Sequence, residues 1–195
     1  MTKSEKTRHF IVEKTASIFN KKGYSGTSLS DMITATGLTK GSIYGNFINK
    51  DDVALAAFDY NIKTVEIKIE ALMAKQYATK DKLLAYSLVY QELIKGEFCP
   101  GGCPILNTSI DADDTHPALR ERALIALLAW KNKIVKLIRA GMANSEIAAE
   151  ANPEQIALTM IAIIEGGIMI SRLTDNLETR EMLREALTAY INNLS

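Results

Sequence analysis

Glycine at position 37 limits the fold of this chain more than any other residue. It follows a short amphipathic run over residues 29–36 and precedes Leu38 and Thr39. Only a residue that tolerates left-handed backbone dihedrals lets one helix stop and another start within so few positions. Thr39 is a favourable N-cap, its hydroxyl placed to accept an orphan amide, and the helix it opens is predicted to run to about Phe47. Ile33, Leu38 and Ile43 then fall where two crossing helices touch, with Gly37 at the bend. A short helix, a glycine-centred turn and a second short helix are the sequence form of a helix-turn-helix.

The rest of the chain is written in the same language. Residues 4–22 place Ile11, Thr15, Ile18 and Phe19 on one face and end at Gly23, a helix stop. From Lys50 to about residue 75 a long helix carries Val53, Leu55, Ala56, Phe58, Ile62, Val65, Ile69 and Leu72. Further helices are predicted over 80–96, over 115–140 (Thr115 as cap, Pro117 just inside, Gly141 as stop), over 153–173 behind Asn152, and over 178–193. No segment alternates with a period of two, so the expected fold is all-α. It divides into a three-helix head, residues 1–50, and a larger helical body, residues 51–195.

The formal net charge is zero, yet residues 1–50 hold eight Lys/Arg against three acids, a charge of +5, which leaves −5 on residues 51–195. A basic head on an acidic body suits a phosphate-binding module joined to a domain that does not bind nucleic acid. No basic segment followed by an apolar core opens the sequence, and the longest apolar stretch, 156–170, is interrupted by Glu165 and reads as too short for a bilayer. The expectation is a cytoplasmic protein without a membrane partner, whose two cysteines are not a structural disulfide.

Residues 27–52, TSLSDMITATGLTKGSIYGNFINKDD, resemble the signature of the TetR family of bacterial transcriptional repressors. With Phe19 and the Gly23-Tyr24 pair, the resemblance runs in register over about residues 7–60, including Thr27, Ile33, Gly37, Lys40, Gly41, Tyr44, Phe47 and Lys50. It implies a homodimer that binds double-stranded DNA at an inverted-repeat operator and responds to a small-molecule inducer. The chemistry agrees: a helix entering the major groove needs a small, polar first turn, and Thr39, Lys40, Gly41 and Ser42 supply one, with Asn46 further along the exposed face. By resemblance, Tyr44 and Lys50 grip phosphates, as does Thr27 or Ser28 at the start of the second helix, where free amides also favour an anion. Read singly, Tyr44 is equally a packing residue and Lys50 an ordinary helix-start charge. Gly45 and Asn46 depart from the bulkier or His side chains common in the family, which hides the base preference.

In the body, residues 153–173 are apolar on too many sides for a monomer surface: Ile156, Met160, Ile163, Ile164, Ile168 and Ile170 are joined by small Ala157, Ala162, Gly166 and Gly167. This helix and the last one suit a two-fold four-helix interface, as in the family, or an intramolecular core. Tyr60, Tyr86, Tyr90, Trp130 and Met169 are candidate walls of a ligand pocket and equally candidate core. Cys99 and Cys103 enclose Pro-Gly-Gly, and three readings stand: buried thiols, a redox or electrophile sensor centred on Cys103, or, with His116 and one of Asp111, Asp113 or Asp114, a metal site that matches no strong zinc spacing. No metal and no cofactor is assigned. A thiol- or metal-dependent enzyme is the distant alternative, because no oriented base accompanies the cysteines.

Overall fold

The computed structural model describes residues 2–194, and among them every regular element is an α-helix. In chain order these are α1 (Lys3–Gly26), α2 (Leu29–Thr36), α3 (Lys40–Tyr44), α4 (Lys50–Met73), α5 (Thr79–Lys95), α6 (Pro104–Asp111), α7 (Pro117–Ala143), α8 (Pro153–Thr174) and α9 (Leu177–Asn192).

Local chemistry sets most of the boundaries. Thr2 and Glu5 close a capping box at the start of α1, and Gly23, with φ 71°, breaks the helical path near its end. Gly37 is left-handed at φ 67° and its amide returns to the Ile33 carbonyl at 2.8 Å, so the expected turn is in place. α3 is shorter than the spacing predicted. The Asn46 and Phe47 amides both bond the Ile43 carbonyl, at 3.0 and 3.1 Å, and this double closure ends the helix early.

Two other boundaries differ from expectation. α6 is too short to declare itself by periodicity; Pro104 at its first turn and Cys103 at its N-cap are its only local marks. α7 runs past Gly141 to Ala143. That glycine is a packing contact, since a Cβ there would lie 2.8 Å from both Ile147 Cδ1 and Thr79 Cγ2.

The chain forms two compact units, residues 1–64 with 99–125, and residues 65–98 with 126–195. The first buries Ile11, Phe19, Met32, Ile43, Phe47, Val53, Phe58 and Leu119 among α1 to α4, α6 and the start of α7. The second packs α5, α8 and α9 together around Leu83, Val89, Ile134, Ile138, Met160, Ile168, Leu187 and Ile191. α8 is 22 residues long and, by length and composition alone, apolar enough to cross a membrane, longer than the uninterrupted run visible in the sequence. Its inner face, from Ile156 through Ile164 to Ser171, is buried, and the Ser171 hydroxyl pairs with that of Tyr90 at 2.9 Å. Its outer side keeps Leu158, Met169 and Leu173 exposed, and Leu177 and Met182 of α9 are exposed as well.

Candidate nucleic-acid interface

The first turn of α3 presents what the sequence promised. Thr39 caps it by accepting the Ser42 amide at 3.2 Å, and Thr39, Lys40 and Gly41 are exposed while Ser42 and Tyr44 are half-buried. Ile43 and Phe47, four residues apart, point inward and are 0% and 2% exposed. Ser28 closes a capping box with Asp31 at the start of α2. The Lys22 ammonium, 2.7 Å from Asp31, together with the Ser28 amide and hydroxyl, holds that carboxyl well below the usual range.

Two expected contacts are placed differently. Thr27 is fully buried and its hydroxyl donates to the Gly23 carbonyl at 2.7 Å, so it seals the α1 kink and leaves only Ser28 on the surface. Asn46 is turned inward: its amide donates to the Ser42 carbonyl at 2.9 Å, its side-chain oxygen accepts from Ser4 at 3.1 Å, and its own carbonyl accepts from Arg8 at 2.7 Å. Asn46 therefore ties the end of α3 to α1.

Charge counting passed over the groups that hold α3 and α4 in register. The Arg8 guanidinium lies 3.9 Å from the Phe47 ring centre and 3.0 Å from Asp52, and it depresses that carboxyl. Lys50 sits 4.3 Å above the Tyr24 ring, a cation–π contact that aims its ammonium. The Tyr24 hydroxyl donates to Asp51, and that bond, with burial, pushes the phenol up to about 12. His116 accepts the Leu119 amide on Nδ1 at 3.2 Å and turns Nε2 to within 3.7 Å of Asp51. No signal in the sequence links Arg8 to Asp52, because 44 residues separate them.

Behind the head, Cys99 to Pro104 wraps the end of α1. The Asn20 amide donates to the Pro100 and Gly102 carbonyls, both at 3.0 Å, and the Asn107 amide donates to the Asn20 backbone and side-chain oxygens and to the Gly101 carbonyl. Gly101, at φ 106°, admits no Cβ, which would stand 2.8 Å from Asn20 Nδ2. Cys99 and Cys103 are both buried, and burial pushes the Cys99 thiol up to about 11, away from the thiolate a sensor needs. Cys99, Cys103 and His116 do not gather as ligands: among the described residues no group of three or more His, Cys, Asp or Glu could hold a metal ion. Asp111 instead accepts the Tyr24 amide at 2.7 Å. A cavity lined by Phe19, Asn20, Phe58, Asn107 and Leu119 measures ≈ 30 Å³, space for a water rather than an inducer.

The five candidate pocket residues are divided between the units, Tyr60 in the first and Tyr86, Tyr90, Trp130 and Met169 in the second. Tyr60 stands edge-on to His9. Met169 is 48% exposed, and Tyr90 is committed to Ser171 and packed on Gly167. Tyr86 and Trp130 are neighbours, ring centres 6.2 Å apart.

A short helix, a left-handed glycine turn and a second short helix with a capped, polar, lysine-bearing start above a buried apolar floor have the form of a helix-turn-helix DNA-binding protein. Residues 11–57 match the family described as bacterial regulatory proteins, tetR family, and residues 79–187 match the tetracyclin repressor-like C-terminal domain. A TetR-family transcriptional regulator from Cytophaga hutchinsonii has a crystal structure similar at TM-score 0.96 and 46% identity, covering 100% of this chain and 98% of that one. Another, from Chloroflexus aurantiacus J-10-FL, is similar at TM-score 0.92 and 38% identity, covering 99% and 98%. The HTH-type transcriptional repressor DhaR of Mycobacterium sp. strain GP1 is 26% identical over 191 residues, 96% of this chain and 91% of its own length. The chain belongs to the TetR family of bacterial regulatory proteins, DNA-binding transcriptional repressors that act as dimers.

Proposed function

We propose that this protein is a cytoplasmic homodimer that binds an inverted-repeat operator and releases it when a small molecule occupies the body. Residues 1–50 read DNA and residues 51–195 dimerise and sense; the activity is binding, with no catalytic step. The observation that carries this reading is the exposed first turn of α3, where Thr39, Lys40, Gly41 and Ser42 stand above buried Ile43 and Phe47. In this reading Lys40 and Ser42 approach base edges, while Ser28, Tyr44 and Lys50 contact phosphates. Asn46 and Thr27 act as positioning residues behind them.

Dimerisation through the exposed apolar sides of α8 and α9 sets two heads on half-sites about 34–36 Å apart or further. A ligand that prefers one arrangement of the body shifts DNA affinity by linkage. A small molecule is favoured over thiol modification as the inducing event, because both thiols are buried, Cys99 at 1% and Cys103 at 6% exposure, and a reactive thiol needs access. Duplexes selected from a random-sequence library test the operator reading: an inverted repeat is expected, and selection of half-sites without symmetry contradicts it.

A further inference from the structure

Among the buried polar groups of the second unit that lack a hydrogen-bond partner, two are neighbouring aromatic donors. Tyr86 on α5 is 2% exposed, and its hydroxyl has no hydrogen-bond partner; the indole Nε1 of Trp130 on α7 is likewise buried without one. The two rings are neighbours, centres 6.2 Å apart and planes inclined by 32°. Buried donors in folded proteins are nearly always satisfied, and a neighbouring pair that is not marks a place where an acceptor belongs. Lys133 is already engaged, bridging Glu66 at 3.0 Å and Glu70 at 3.3 Å.

We propose that Tyr86 and Trp130 form the recognition point for a neutral ligand that carries a carbonyl or similar acceptor oxygen on a planar apolar body. The class follows from the chemistry of the site. Both groups can donate, so the ligand supplies lone pairs. Both are aromatic, so the remainder of the ligand is apolar and gains most when flat. Burial, with the field of Glu66 and Glu70 added, raises the Tyr86 phenol. The same field opposes a bound carboxylate or phosphate. This inference rests on the small-molecule reading above and assigns that molecule its chemistry.

Trp130 is the chain's one tryptophan, so its emission reports this site alone. The full-length protein is titrated with acetophenone, ethylbenzene and benzoate, which share a ring and differ in acceptor and charge. Acetophenone is expected to shift the Trp130 emission, with ethylbenzene and benzoate binding at least about tenfold more weakly. Tyr86→Phe is expected to weaken acetophenone about tenfold and leave ethylbenzene unchanged, its melting temperature confirming the fold. Equal binding of the three probes, an unchanged acetophenone affinity in Tyr86→Phe, or no emission shift at millimolar concentrations, as when a structural water fills both donors, overturns the site. Operator release is followed in parallel. Acetophenone binding without release upholds the site and contradicts the release mechanism, whereas release by an unrelated compound, equal in wild type and Tyr86→Phe, upholds release and overturns the site.

Discussion

In the first unit the buried and half-buried polar groups answer one another. Asn20, Asn107, Asn61 and Asp52 all have partners, and Arg8, Tyr24, Asp51 and His116 interlock α1, α4 and α7. In the second unit the interior leaves the Tyr86 hydroxyl, the Ser87 hydroxyl and the Trp130 indole without partners. The difference separates two tasks. A reader of DNA gains from side chains held in one arrangement before the ligand arrives, since little ordering is left to oppose binding. A sensor needs interaction capacity that is unspent in the free protein, so that its ligand distinguishes between states of the body.

Truncation is expected to act differently in the two regions. Phe47→Ala, which removes the floor beneath α3, is expected to destabilise by about 3–5 kcal/mol in denaturant unfolding. Asn107→Ala deprives Asn20 and Gly101 of a donor and is expected to cost roughly 1–3 kcal/mol. Tyr86→Phe removes a buried hydroxyl with no partner and is expected to be neutral or stabilising by up to ~1 kcal/mol. A destabilisation by Tyr86→Phe as large as that of Asn107→Ala would erase the contrast.

The smallest effect concerns pH. Arg8 lowers the Asp52 carboxyl below its ordinary 3.8, so the pair stabilises the fold above that value and the contribution is lost as pH falls through the depressed one. Both partners are partly solvated, so the effect stays under about 1 kcal/mol. Thermal melts of Asp52→Asn and wild type should converge as the solution is acidified from about pH 4; a constant difference across that window would show that the pair does not titrate with folding.

What could be read in advance was local. Gly37, Thr39 and the four-residue spacing of Ile43 and Phe47 encode their structure within one or two turns, and the turn and the exposed helix start formed as expected. What could not be read was set by distant partners. Asn46 looks exposed by periodicity but is drawn inward by Ser4 and Arg8, about forty residues away. Thr27 looks like a phosphate contact at the start of the second helix, yet the break at Gly23 offers its hydroxyl a nearer acceptor. The Cys99 to Pro104 loop is read in sequence as buried thiols, a sensor or a metal site; its thiols are buried, and its backbone anchors α1, a role visible only once Asn20 and Asn107 are brought to it. Tyr60 and Met169 share their residue class with Tyr86 and Trp130, yet Tyr60 lies in the first unit and Met169 is 48% exposed, and composition does not carry position.

In the proposed function the start of α3, with Lys50 at the head of α4, holds DNA through phosphates and base edges. The salt dependence of binding to the selected duplex tests it most directly, by fluorescence anisotropy on wild type and on Lys50→Ala, Lys40→Ala and the double variant. Lys50→Ala should lower affinity uniformly across sequences and reduce the slope of log K against log salt by about one, as expected when one phosphate contact is lost. Lys40→Ala should relax preference within the half-site as well. A double variant with unchanged affinity and unchanged slope would contradict the account.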